Sequence, residues 1–203
     1  MNAQFDVTGI VIETPRVTLR EWREDDLEDL YEYASVDGVG QMAGWEPHGS
    51  VEDSKKILDR FIEGKHVFAV VLKENGKVIG SVGIEQYGSE DKLTEFAGYK
   101  GRELGFVLSK DYWGRGLMPE AAGAAVDYCF NTLDFDFMLC GHFNFNMQSK
   151  RVQEKLGFVP YRSLVFDTSM GTKEPGTLNL LINPKKKLKL EFSHPETLIL
   201  TFN

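Results

Sequence analysis

Two cysteines, four histidines and seven prolines among 203 residues leave several chemistries without material. Cys129 lies on an apolar helical face and Cys140 in an apolar strand, so buried free thiols are expected rather than a disulfide or a nucleophile. His48, His66, His142 and His194 lack ligand spacing, and Cys140-x-His142 offers too few donors on one strand, so no metal is expected. No Ser/His/Asp or Cys/His signature marks an acyl-enzyme route. No apolar run reaches the ~20 residues that span a bilayer. Met1 to Val7 has no basic segment followed by an apolar core, so no membrane partner and a cytoplasmic location are expected. Basic residues are in deficit, with 23 Lys and Arg against 31 Asp and Glu. The net charge of -8 argues against nucleic acid and suits a cationic substrate such as an amine. Internal repeats and low-complexity stretches are missing too.

What is present is ordinary for one globular domain, with 42% hydrophobic residues and a central segment, Glu103 to Phe130, that organises the rest. There an apolar strand, Leu104 to Leu108, runs through Trp113-Gly114-Arg115-Gly116 into a helical pattern. Met118, Ala121, Ala122, Ala125, Val126, Cys129, Phe130 and Leu133 recur at three- and four-residue steps, and Pro119 fits near a helix start. A first helical turn offers unpaired amide N–H groups and the positive end of the dipole, a cradle for phosphate. The spacing is neither a P-loop, which needs four residues between its glycines and then Lys-Ser/Thr, nor a dinucleotide fingerprint, whose third glycine is replaced by Pro119. Taken alone, the glycine pair is also compatible with an ordinary turn before a core helix.

Around this segment the chain reads as follows. A strand is expected from Ile10 to Trp22, interrupted near Pro15. A helix with an acidic first turn follows, burying Leu27, Leu30, Tyr31 and Ala34. Asp37 to Gly49 is a loop in which Met42 and Trp45 either cover the core or contact a substrate. Ser50 and Asp53 form a capping box for a helix with Ile57, Leu58, Phe61 and Ile62 inward. Asn75-Gly76 turns a hairpin between Val67–Leu72 and Val78–Ile84, and Gln86 to Lys100 is a polar connection. Phe135 to Phe143 is a strand reached by a helical crossover, which favours parallel pairing. Asn146 to Leu156 is a short helix that Gly157 terminates, and Phe158–Phe166 with Thr177–Ile182 closes the sheet as an antiparallel pair.

The segment Asp111-Tyr-Trp-Gly-Arg-Gly-Leu-Met-Pro-Glu-Ala121 resembles the acetyl-coenzyme A loop of the GNAT superfamily of N-acetyltransferases. Asn146-Met-Gln-Ser149, followed by Glu154-Lys-Leu-Gly-Phe158, is similar to the second signature of its ribosomal-protein N-terminal acetyltransferase (Rim-type) branch. The resemblance covers about Ile12 to Ile182. Asp111 departs from it, standing where the superfamily often has Gln or Arg. The resemblance implies an α/β fold with a mixed, mostly antiparallel sheet and helices on both faces. It also implies acetyl-coenzyme A as co-substrate, no metal, and direct acetyl transfer to a primary amine, at a protein N-terminus or on a small molecule. A non-catalytic acyl-coenzyme A binding module is the alternative. Coenzyme contacts are implied at Gly114, Arg115, Gly116, Leu117, Met118 and Asn146. Glu103, at the mouth of the strand, is implied as base and Ser149 as proton donor to the thiolate. Tyr112 and Tyr161 are spare donors, and Lys150 and Arg151 are cations available to the phosphates. The acetyltransferase domain is expected over 1–183, with 184–203 as an extension of two short amphipathic strands packing on the domain or on a second subunit, as in a homodimer.

Overall fold

Asn75-Gly76 behaves as its dipeptide dictates: Gly76 takes a φ of 75°, a region that favours glycine, and the chain reverses between β3 (Val67–Leu72) and β4 (Val78–Glu85). The computed structural model describes residues 2–88, 93–189 and, by backbone, 198–201. The fold is mixed α/β with a mostly antiparallel sheet. Its contacts divide it into two compact units, Phe5–Ile84 with Gly105–Ala125, and Met1–Gln4 with Glu85–Leu104 and Val126–Asn203.

In the first unit β1 (Ile12–Glu13), β2 (Val17–Glu21), β3, β4 and the Gly105–Leu108 part of β5 (Gly101–Leu108) lie side by side in chain order. The expected Ile10–Trp22 strand is instead a hairpin, with Ile12 paired antiparallel to Leu19, because Pro15 and Arg16 turn the chain. Gly80 is required by proximity, since a Cβ there would meet the Val107 carbonyl at 2.3 Å. Helix α1 (Leu27–Ala34) follows a 3-10 turn at Glu24–Asp26 and buries Leu30, Tyr33 and Ala34. Tyr33 replaces the expected Tyr31, and Leu27 is only partly buried. Ser50 caps α2 (Val51–Gly64) by accepting from the Asp53 amide. Leu58 is buried, while Ile57, Phe61 and Ile62 pack on a cluster with Trp22, Leu30 and Ala69. Trp45 joins this cluster after a 3-10 turn at Gly40–Ala43, so the loop covers core.

In the second unit the strand order is β5, β6 (Phe137–Phe143), β8 (Lys173–Ile182), β7 (Val159–Asp167), β9 (Leu198–Thr201). Glu103 pairs parallel with Leu139, as the crossover through α3 (Leu117–Asn131) requires. The Gln86–Lys100 connection is less polar in effect than its composition suggests. Phe96 is fully buried and stacks on Phe137 at 4.2 Å, and Glu95 receives hydrogen bonds from Tyr161 and Arg162. Residues 89–92 lie outside the described residues. Of the tail, Leu198–Thr201 is a strand, parallel to β7. Leu188 and Lys189 are in none, and Leu190 to Thr197 lie outside the described residues.

Candidate active site

The first unit holds the cradle. Gly114 and Gly116 take φ of 76° and 73°, values that let the chain curl into the first turn of α3, and Gly114 has open space where a Cβ would stand. Leu117 and Met118 begin the helix and are buried; Pro119, third in it, has no amide hydrogen to waste. The loop is held by a residue the sequence did not single out. Arg16, one hundred positions earlier, donates Nη1 to the Arg115 carbonyl at 2.8 Å and Nη2 to the Gly116 carbonyl at 3.2 Å. Glu120 anchors Arg16 in turn: its carboxylate accepts from Arg16 Nε at 2.7 Å, from the Arg16 amide at 2.8 Å and from Thr14 Oγ1 at 2.7 Å. Burial alone would raise the Glu120 pKa; these donors outweigh it and hold the carboxyl below its usual range. Both carbonyls are thereby drawn onto Arg16, on the far side of its ion pair with Glu120. Arg115 itself is exposed and lies over the Tyr112 ring, 5.1 Å from its centre. No signal in the sequence pairs Arg16 with Glu120, because only the fold joins them.

The second unit holds Glu103, Asn146 and Ser149. Glu103 is not at the strand mouth as expected: β5 begins at Gly101, and Glu103 is inside the ladder with 7% of its surface exposed. Desolvation, then the negative charge of Glu85, push its pKa up to about 7, against a hydrogen bond from the Gly141 backbone that favours the anion. What demands a glycine at 141 is Phe166, whose ring a Cβ there would meet at 2.8 Å; Glu103 Oε1, at 3.5 Å, would be in ordinary contact. Asn146 is buried and caps α4 (Met147–Lys155), its Oδ1 accepting from the Ser149 amide at 3.0 Å. Ser149 is half-buried in the first turn, and its Oγ accepts from Gln153 Nε2 at 3.0 Å. Tyr161 is committed to Glu95, and burial raises its pKa. Cys129 and Cys140 are buried free thiols, Cys129 with a pKa pushed up by burial to about 12.

The first unit thus offers a glycine turn that runs into a helix N-terminus, and the second a carboxyl whose pKa is raised to about 7 and a hydroxyl on a capped helix turn. Residues 16–159, more than half of the chain, match the family described as Acetyltransferase (GNAT) domain. The uncharacterized N-acetyltransferase p20 of Bacillus licheniformis is 29% identical over 128 residues, covering 61% of this chain and 67% of that protein. An acetyltransferase (GNAT family) from Bacillus anthracis has the same fold, with a TM-score of 0.72 at 21% identity over 86% of this chain and 99% of that one. So does a ribosomal-protein-S5-alanine acetyltransferase from Vibrio fischeri, with a TM-score of 0.66 at 24% identity over 88% and 99%. The chain therefore belongs to the GNAT family of acetyltransferases, with acetyl-coenzyme A as its co-substrate.

Proposed function

We propose that this N-acetyltransferase moves the acetyl group from the coenzyme thioester directly to a primary amine, and that an α-amine, as on a protein N-terminus, is a better acceptor than a lysine-like amine. The coenzyme pyrophosphate would rest on the backbone of Gly114 to Met118, with Arg115 beside it. Asn146 serves the coenzyme side by capping the turn that carries Ser149. The amine nitrogen attacks the thioester carbonyl carbon, the carbon–sulfur bond breaks, Glu103 takes the amine proton and Ser149 passes its own to the departing thiolate, after which solvent returns a proton to Ser149 and accepts the one on Glu103.

The observation that carries the reading is the burial of the Glu103 carboxyl between β5 and β6 with a hydrogen bond from the Gly141 backbone, a setting that raises its pKa to about 7. A base of that strength matches an α-amine, whose pKa near ~7.8 leaves about a tenth neutral at pH 7. A lysine-like amine near ~10.4 is neutral only about once in a thousand molecules. The Asn146-x-x-Ser149 signature of the ribosomal-protein branch supports the same acceptor, and a small α-amine remains chemically equivalent.

The test is coenzyme thiol release across pH, with peptides whose α-amine is free or blocked. Because a carboxyl with raised pKa gains its basic form as pH rises through about 7, the parent's kcat/KM should climb across that range. Glu103→Gln should turn over about 10²-fold more slowly at pH 7 and keep only the limb set by neutralisation of the amine near ~7.8. Superimposable pH–rate profiles would remove Glu103 from the mechanism, and equal rates with blocked peptides would remove the α-amine.

A further inference from the structure

A connected set of polar side chains beneath α4 has no part in the chemistry above. Gln153 is 1% exposed and fully bonded: its Nε2 donates to the Gly141 carbonyl at 3.1 Å and to Ser149 Oγ at 3.0 Å, and its Oε1 accepts from Asn179 Nδ2 at 2.6 Å. A backbone carbonyl can only accept, so Gly141 decides which end of this amide faces Ser149. Flipping Gln153 would set two acceptors against each other at Gly141 and two donors against each other at Asn179. Asn179 Nδ2 also donates to His142 Nδ1 at 3.0 Å, which requires a lone pair on that nitrogen and therefore a neutral imidazole with its proton on Nε2. Burial lowers the His142 pKa and outweighs the Gln153 side chain, which raises it, in agreement with that state; Lys150 and Glu154 of α4 act on it with opposite signs. His142, Gln153 and Asn179, from β6, α4 and β8, together line a cavity of about 330 Å³.

We infer that Gln153 is a positioning residue for acetyl transfer: by donating to Ser149 Oγ it occupies a lone pair there and leaves the hydroxyl proton for the departing thiolate. Asn179 and neutral His142 hold the amide in the donating orientation. The donated hydrogen bond also polarises the hydroxyl, making its proton easier to give. This inference rests on Ser149 as the acid.

The test is a double-mutant cycle in steady-state kinetics on the full chain, with folding checked by circular dichroism. Gln153→Leu should lower kcat about tenfold while the KM of each substrate stays within about twofold. The same change should cost nothing further on Ser149→Ala. An equal loss in both backgrounds makes Gln153 a packing residue and overturns the inference alone. A Ser149→Ala enzyme as fast as the parent overturns the acid reading, and the inference with it. Should Gln153→Leu not fold, Gln153→Met keeps the length without a donor and should show the same tenfold loss on the parent and none on Ser149→Ala; an unchanged kcat overturns the inference.

Discussion

Burial turns Glu103 from a surface carboxylate into a group that changes charge near neutrality, and this has a cost in stability. Its pKa is about 7 in the fold against an ordinary value of 4.5, so the folded state binds the proton more tightly than the unfolded chain. The sign follows from linkage. Stability associated with this group is full below about pH 4.5, declines as pH rises, and is lost above about 7. Glu103→Gln, which cannot ionise, should therefore be more stable than the parent at pH 8, by up to about 3 kcal/mol, with the gap closing towards pH 5. Denaturant melts at the two pH values check this; a gap that widens on acidification would contradict the buried-carboxyl account. The sequence shows the glutamate and its neighbourhood, but its burial and its hydrogen bond from the Gly141 backbone come with the adjacent strand, and no local pattern announces that pairing.

At the scale of elements, the cradle is a loop held from behind. Arg16 sits at the β1–β2 turn and reaches the carbonyls of Arg115 and Gly116, with Glu120 on the first turns of α3 holding it in place. Truncating it frees those carbonyls and lets the loop amides turn away from the anion. Arg16→Met should therefore raise the Kd for acetyl-coenzyme A by about tenfold, a loss of ~1.4 kcal/mol, with kcat at saturation changed far less. Titration calorimetry reads the first and steady-state kinetics the second; unchanged affinity would reduce Arg16 to a surface ion pair. Glu120→Gln should give a smaller loss in the same direction, because a neutral amide still accepts from Arg16. The glycine turn and the helix after it were legible in the sequence, since positive φ and three-to-four periodicity are local properties. The clamp was not, as it joins residues a hundred positions apart.

Over the whole molecule, the net charge of -8 acts at a distance that no single side chain does. It should favour cationic acceptors at low salt, and that attraction should weaken as the Debye length falls from ~30 Å at 0.01 M to ~10 Å at 0.1 M. The KM for a lysine-bearing peptide amine should thus rise several-fold over that range, while that of an uncharged-side-chain peptide should move less. Matching salt responses would show that local contacts alone recruit the amine. Length, hydrophobic patterning and turn chemistry by themselves determined the order of strands and helices, the β3–β4 hairpin, the capped α2 and α4 and the parallel β5–β6 step. Each follows from backbone preferences or periodicities that act within a few residues, or from the handedness of one crossover. Only the tertiary structure decided that Ile10 to Trp22 folds back on itself, that Phe96 is core, that Glu103 is buried and that Ser149 takes its hydrogen bond from Gln153. Those outcomes depend on the dielectric, packing space and hydrogen-bond partners supplied by distant segments, and these exist only once the strands have paired.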